Sequence, residues 1–230
     1  AQAVPAVFGA QLTDLQSGRV ADIVGRILEK HHFRQSRLDD IVSNGFLTNY
    51  LNALDYNHMI FLQTDVDNFK AKYGTKLDEA TRSGSVAPCF QIFDVYLDRL
   101  EERNILVQKV LKQEFDFSED DSFVVARNKE PWPKDDLDAA KLWRQRIKYE
   151  LLQARLAKEK PEETIGLISR RYNRLEKTMK ELERGDILQL YLTSLAHTYD
   201  PHSDYFNRAQ LESFRISMNL ELFGIGAELE

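Results

Sequence analysis

The sequence has few of the residues that cross-link a chain or interrupt its regular structure. It contains one cysteine, six prolines and ten glycines in 230 residues. A single cysteine excludes an internal disulfide framework. The low content of proline and glycine is unsuited to a β-sandwich with its many turns and is typical of a helical protein.

Long apolar runs and an excess of positive charge are also missing. No run approaches the roughly 20 apolar residues that span a bilayer, so we expect a chain that does not span a membrane. The net charge is −6, from 31 basic and 37 acidic residues, which argues against a general nucleic-acid-binding protein. With 43% apolar residues, the chain can form a packed core and is not a disordered tail.

Helical periodicity dominates what is present. Apolar residues recur at three- and four-residue steps, the spacing of amphipathic helices. The predicted helices cover residues 11–30, 39–54, 64–73, 76–82, 87–113, 135–158, 161–183, 187–199 and 208–218. Thr64 is the predicted N-cap of the third helix, Ile41 is among the inward-facing residues of the second, and Gly185–Asp186 is the joint before a central, buried helix. We therefore predict an all-α fold of about seven to nine helices.

Two segments depart from this period. Residues 114–134 combine an acidic cluster with two prolines and predict a loop, with one short extended piece at Phe123–Ala126. At the end, "NLELFGIGAELE" alternates apolar residues around Gly224 and Gly226, which predicts a strand with close backbone approach. We therefore place a domain boundary after residue 219: a helical domain at 1–219, and residues 220–230 as the start of a second domain.

The stretch "TYDPHSDYF" brings together the residue types of a serine hydrolase triad, Asp200, His202 and Ser203. Triads draw their members from distant parts of the chain, because sequence neighbours rarely converge on one point. Pro201 disfavours helical geometry at Asp200, so the buried helix must end there. Short polar side chains then predict a turn, with Asn207 as the N-cap of the next helix.

The remaining residues of chemical interest are each better explained as structural or surface groups. His31–His32 predict a surface helix end, and His58 and His197 predict structural histidines. Cys89 lies in an apolar run and predicts a buried thiol. The acidic run Glu119–Asp121 lacks the pattern of a calcium loop, and "GIGAEL" lacks the full dinucleotide fingerprint. We therefore assign no catalytic, cofactor-binding or metal-binding residue, and no cofactor.

The end of the sequence resembles the junction segment of the tail-specific proteases, a bacterial branch of the carboxy-terminal processing serine peptidases. The matching residues are Asp200-Pro201-His202-Ser203, Tyr205-Phe206, Glu212-Ser213-Phe214, Met218-Asn219-Leu220 and Gly224-Ile225-Gly226-Ala227. Earlier pieces that resemble the family are "LDYNHMIFLQTDVDNF", "FQIFDVYLDRL", "PWPKDDLDAAKLWRQRIKYELL" and "ISRRYNRLEK". The resemblance begins at about Leu54, and it departs from the usual pattern at Arg208 and Phe223.

The resemblance implies a helical N-terminal domain that precedes a PDZ domain and a catalytic domain with a serine–lysine dyad. It implies an enzyme that cuts envelope proteins after recognising their C-terminal ends, with the dyad downstream of "GIGA". The opening "AQAVPAVFGAQ" suits the region after a removed signal peptide, so a periplasmic or envelope location is expected. The helical part would act as a scaffold, or would dock a substrate, an adaptor or another protomer. The alternative is a stand-alone helical interaction module without proteolytic activity.

Overall fold

A computed structural model describes residues 13–118 and 121–219 of the chain. Over these two ranges the chain forms nine α-helices and no strand. The helices are α1 (Asp14–His31), α2 (Asp40–Leu54), α3 (Gln63–Tyr73), α4 (Leu77–Ser83), α5 (Ala87–Val110), α6 (Asp136–Leu156), α7 (Pro161–Lys180), α8 (Arg184–Tyr199) and α9 (Arg208–Asn219). The predicted all-α fold is confirmed, and the strand predicted at residues 220–230 lies outside the described residues.

Short polar side chains set the starts of several helices. The Thr13 hydroxyl accepts a hydrogen bond from the backbone N–H of Gln16, whose side chain accepts one from the N–H of Thr13 in return. Asp39 caps α2, and the carboxylate of Asp135 caps α6 by accepting the N–H of Asp138 at 2.8 Å. These bonds satisfy N–H groups that have no partner within the helix. The predicted starts of α2 and α6 are thus confirmed.

The start of α3 differs from the prediction, because Thr64 is not its N-cap. The helix begins at Gln63, and the preceding residue Leu62 donates its N–H to the carboxylate of Asp65 at 2.9 Å. Arg99 of α5 holds that carboxylate through bonds of 2.8 and 3.0 Å. A contact from a distant helix therefore fixes the first turn, so the local pattern of residues could not locate it.

The predicted joint at Gly185–Asp186 is also wrong, because both residues lie in the first turn of α8. The chain turns earlier, between the end of α7 at Lys180 and the start of α8 at Arg184. Asp186 places a carboxylate near the positive N-terminal end of the helix, which favours a helical first turn. A glycine in that turn costs some helix propensity but does not prevent the helix from forming.

Two apolar segments are more exposed than their patterns predicted. The side chain of Ile41 is 81% exposed on the first turn of α2, although the later apolar residues of that helix are buried. Residues 123–126 form part of a loop and not an extended strand, and Val124 is 50% exposed. No neighbouring strand occurs among the described residues, so this short apolar piece has no sheet to join.

The pairing of α2 with α8 forms the centre of the fold. The ring of Tyr191 lies 4.4 Å from that of Phe46 and 5.0 Å from that of Tyr50, measured between centroids. Asn49 donates its side-chain N–H to the carbonyl oxygen of Ser194 at 3.2 Å. Aromatic packing and a hydrogen bond thus join the two helices. The prediction that α8 is central and buried is confirmed.

Helices α1 and α3 to α7 pack around this pair. Helix α3 contacts α2 and α5, and the other five helices form two groups. Helix α1 packs against α4 and α8, while α4 also contacts α2. Helix α5 packs against α6 and α7, and α6 packs against α7, so that these three form a second group beside the α2–α8 pair. A single cluster of buried apolar side chains runs through both groups. Helices α1 to α8 therefore share one continuous core.

The carboxylate of Asp55, just after α2, anchors the loop that leads to α3. It accepts backbone N–H groups from Met59, Ile60 and Phe61 at 2.8–3.1 Å, and the indole N–H of Trp132 at 3.0 Å. Burial raises the pKa of Asp55, and these four N–H groups oppose the rise because they stabilise the charged form. The fold therefore buries the Asp55 carboxylate and surrounds it with donors.

Candidate functional site

The stretch with the residue types of a triad forms a turn, as its pattern predicted. Asp200 has an extended backbone with φ −160° and ψ 132°, so α8 ends at Tyr199. The Asp200 carboxylate accepts the backbone N–H of His202 and the hydroxyl of Ser203, both at 3.3 Å. The backbone N–H of Ser203 also donates to the carbonyl oxygen of Asp200 at 3.0 Å. Asp200 thus organises the turn around its own side chain.

A histidine does reach Ser203, and it comes from a distant part of the chain. Nε2 of His32, which follows α1, lies 3.3 Å from the hydroxyl oxygen of Ser203. The backbone N–H of Arg34 donates to Nδ1 of the same ring at 3.2 Å. Because Nδ1 accepts a hydrogen bond, the proton of the neutral ring resides on Nε2 and is donated to Ser203. His31 is exposed, as expected of a surface helix end, but the contact of His32 was not predicted.

The direction of these hydrogen bonds is opposite to that of a catalytic triad. In a triad the imidazole accepts the serine proton, and the carboxylate binds the other ring nitrogen. Here Ser203 donates to Asp200, and His32 has no lone pair facing the hydroxyl. The ring of His202 is exposed to solvent. This arrangement ties the end of α1 to the end of α8 and provides no activated nucleophile.

His197 lies on the exposed side of α8, where it closes the same turn from the other end. Its Nε2 is 2.8 Å from a carboxylate oxygen of Asp204. Both side chains are well exposed, at 39% and 44%, so their pairing contributes little to stability. The prediction of a structural histidine is correct in role, although the ring is at the surface and not in the core.

His58 is a structural histidine, as predicted. Its ring stacks on that of Trp132 with 3.6 Å between centroids. Nδ1 lies 2.6 Å from the carbonyl oxygen of Glu130, and Nε2 lies 3.2 Å from the side-chain oxygen of Asn52. Both ring nitrogens therefore have partners within the protein, and the backbone has a positive φ of 52°. The ring joins the loop before α6 to the end of α2.

Cys89 is the buried thiol that the sequence predicted. Its side chain is fully buried in α5, and the hydroxyl of Tyr50 donates to the carbonyl oxygen of Cys89 at 3.0 Å. Burial raises the pKa of the thiol to about 12. A thiol with so high a pKa carries almost no thiolate at neutral pH, and the thiolate is the reactive form.

A large apolar cleft between helices has no serine–histidine, cysteine–histidine or serine–lysine pair in its lining. It has a volume of about 420 Å³ and lies between the end of α5, α6 and α7. Phe115 and Phe117 line it together with Arg155, Glu159 and Thr164, and its lining contains no histidine, serine, cysteine or lysine.

Within residues 13–118 and 121–219, no group of three or more histidine, cysteine or acidic side chains could hold a metal ion. In the same ranges, none of the helices combines the length and apolarity needed to cross a bilayer.

Comparison with known proteins identifies the family of this chain. Residues 24–209 match the family model described as the tail specific protease N-terminal domain. The chain belongs to this family. It is also similar to the Tail-specific protease of Haemophilus influenzae, with 36% identity over 203 residues that cover 88% of this chain and 29% of that protein. The chain thus spans less than a third of the length of its tail-specific protease relative.

The family match ends at residue 209, the second residue of α9, and the packing of the helices changes at this point. Asn207 accepts the backbone N–H of Gln210 at 3.0 Å and donates its own N–H to the Gln210 side chain at 3.2 Å. The predicted N-cap is therefore confirmed. Beyond this cap, α9 makes no extensive contact with another described helix. Its large apolar residues Leu211, Phe214, Ile216 and Met218 are 38%, 44%, 45% and 67% exposed.

Proposed function

We propose that this chain is the non-catalytic N-terminal domain of a serine endopeptidase that recognises proteins by their C-terminal ends and degrades or trims them. Membership of the tail-specific protease N-terminal domain family carries this proposal. The name of the Haemophilus influenzae relative supports a peptidase as the parent protein. The turn at Asp200 supports a non-catalytic role, because its hydrogen bonds leave Ser203 without a base.

The chemistry of the parent belongs to its downstream part. On the resemblance described above, a serine–lysine dyad performs the cleavage, and a PDZ domain binds the C-terminal end of the substrate. Protein substrates with accessible C-terminal ends, in the periplasm or cell envelope, complete this proposal. The helical domain then acts as a scaffold that packs on the PDZ and catalytic domains and restricts access to flexible chain ends.

A docking role for the helical domain has one specific observation in its favour. Leu15, Ile23 and Ile27 lie on the outward side of α1 and are 68%, 55% and 53% exposed. Arg19 and Lys30 lie on the same side of the helix, so that apolar and basic residues alternate along it. Such a mixed face suits contact with an adaptor or a second protomer. It also suits the alternative function, a stand-alone helical interaction module.

The proposal is tested by measuring whether cleavage by the parent protein depends on the C-terminal end of the substrate. An unstructured substrate that ends in apolar residues is incubated with the parent, beside a matched substrate whose last three residues are aspartate. We expect cleavage of the first and at least about ten-fold slower cleavage of the second, since a site that binds an apolar C-terminal end rejects a charged one. Equal cleavage of both substrates, or cleavage of neither, would overturn the proposed function.

The alternative is distinguished by the coding sequence and by the fate of the substrate. A stand-alone interaction module has no downstream PDZ domain and no serine–lysine pair, and it binds a partner without shortening it. Mass spectrometry of the bound partner gives the answer, because trimming removes residues from its C-terminal side. An intact partner in a stable complex would favour the module over the protease domain.

A further inference from the structure

Helix α9 has an apolar face that no other described helix covers. Leu211, Phe214 and Met218 are three and four residues apart, so they lie on one face of the helix. The ring of Phe206 extends this face, with its centroid 5.3 Å from that of Phe214. Ile216 lies on the opposite face. By contrast, α8 buries eight of its residues in the core.

Among the described residues, the side-chain hydrogen bond that joins α9 to the helices before it comes from its N-cap. Asn207 caps the helix and donates its side-chain N–H to the carboxylate of Asp186 in α8 at 3.3 Å. The helix has 12 residues, and isolated helices shorter than about 12–15 residues are marginal in water. A helix of this length with an apolar face needs a packing partner to be stable. The helical body, α1 to α8, does not supply one.

The extent of the family match indicates where that partner lies. The match to the N-terminal domain family ends at residue 209, so almost all of α9 falls outside the shared domain. The relative is more than three times as long as the part that this chain matches. The chain runs on from α9 into the segment 220–230, whose pattern predicts a strand with no described sheet to join.

We propose that α9 is the first element of the unit that follows the helical domain, and that this following unit of the same polypeptide covers Leu211, Phe214 and Met218. This places the domain boundary at Asn207, earlier than the boundary that the sequence predicted after residue 219. The Asn207 cap and its bond to Asp186 then form the joint between two units. The proposal depends on the proposed function in one respect only, because both require a longer parent polypeptide.

Two other occupants of this face give different observable results. A second copy of the chain would cover it in a concentration-dependent manner. An unrelated partner protein would leave it exposed in the purified parent. The following unit is favoured because it is joined directly to α9, so its effective concentration at this face is high at any dilution.

Hydrogen exchange on the parent protein and on the 230-residue chain tests the proposal. We expect amides of residues 211–219 to exchange at least about ten-fold more slowly in the parent, because a packed helix opens less often than an exposed one. The double substitution Leu211→Gln with Phe214→Gln should abolish this slowing. The matched control Ile216→Gln, on the opposite face, should retain it. Neither variant should change the thermal midpoint of the 230-residue chain by more than about 1 °C.

Three results would overturn the proposal. Equal exchange of residues 211–219 in parent and chain would mean that nothing in the parent covers the face. Slow exchange in the monomeric chain would mean that the helical body already covers it. If residues 211–219 of the 230-residue chain become protected only as the concentration of the chain rises, a second copy of the chain covers the face. Exchange is measured without any cleavage assay, so a parent with a protected α9 but no tail-dependent cleavage would contradict only the proposed function.

Discussion

Gly18 of α1 and Gly84 at the end of α4 bring two backbones into direct contact. A Cβ atom on Gly18 would lie 1.9 Å from the carbonyl oxygen of Gly84. Gly84 has a φ of 69°, a left-handed conformation that ends α4 and that favours glycine. The two glycines therefore set the distance at which α1 packs against α4, and through α4 against the central α2–α8 pair.

Gly18→Ala should destabilise the chain by about 1–3 kcal/mol or more, because a backbone atom and not a flexible side chain occupies the space of the new methyl group. The denaturant midpoint measures this effect. Gly185→Ala is the matched control, since that glycine is also helical and has no atom within 4 Å of its Cβ position. The control should be neutral or stabilising by up to about 1 kcal/mol. Equal midpoints for both variants would mean that α1 is free to move away from α4.

Asp55→Asn should be among the most destabilising single substitutions. The new amide directs N–H groups toward the donors that the carboxylate now satisfies, and each buried donor left unpaired costs about 1–3 kcal/mol. Trp132→Phe removes one of the four donors and should cost less than Asp55→Asn. Asp67→Asn, at an exposed position of α3, serves as the control in the same denaturation series. An unchanged midpoint for Asp55→Asn would show that water replaces the lost partner.

The thiol of Cys89 should resist modification until the protein unfolds. With a pKa of about 12, only about one thiol in ten thousand is ionised at pH 8. The folded-state pKa is raised, so reactivity should increase as pH rises toward 12. At pH 8 a disulfide reagent should label the native chain at least about a hundred-fold more slowly than the chain in denaturant. Rapid labelling of the native chain would show that α5 opens locally around Cys89.

The double substitution Asp200→Ala with Pro201→Ala should lower stability by about 1–3 kcal/mol, from lost turn bonds and a less restricted unfolded chain. The carboxylate supports both the N–H of His202 and the hydroxyl of Ser203. Asp204→Ala is the matched control, because its contact with His197 is exposed and should contribute about 0–1 kcal/mol. If the control costs as much as the double variant, the Asp200 bonds do not hold the turn.

Most of the helices could be predicted from the sequence because their cause is local. Apolar residues recur at helical spacing, and Asp39, Asp135 and Asn207 mark helix starts with side chains that cap their own first turn. The error at the start of α3 has a distant cause. Arg99 fixes the first turn of α3 by holding Asp65, and nothing near Thr64 in the sequence reveals that contact.

The site could be predicted in its outline only. The sequence alone identified the Asp200 turn and excluded a triad among its neighbours, because the geometry of adjacent residues is a local property. The contact between His32 and Ser203 crosses 171 positions of the chain. No periodicity or motif carries that information, since it depends on how α1 and α8 pack. The exposure of α9 likewise depends on which helices lie near it.

Incubation of the purified 230-residue chain with an unstructured protein that has an apolar C-terminal end tests the central claim most directly. The claim is that the helical domain performs no chemistry of its own, because Ser203 donates its proton to Asp200 and His32 donates to Ser203. We predict that mass spectrometry finds the substrate intact after incubation with the chain, and shortened after incubation with the parent. If the chain alone cleaves the substrate and Ser203→Ala abolishes this cleavage, the claim is contradicted.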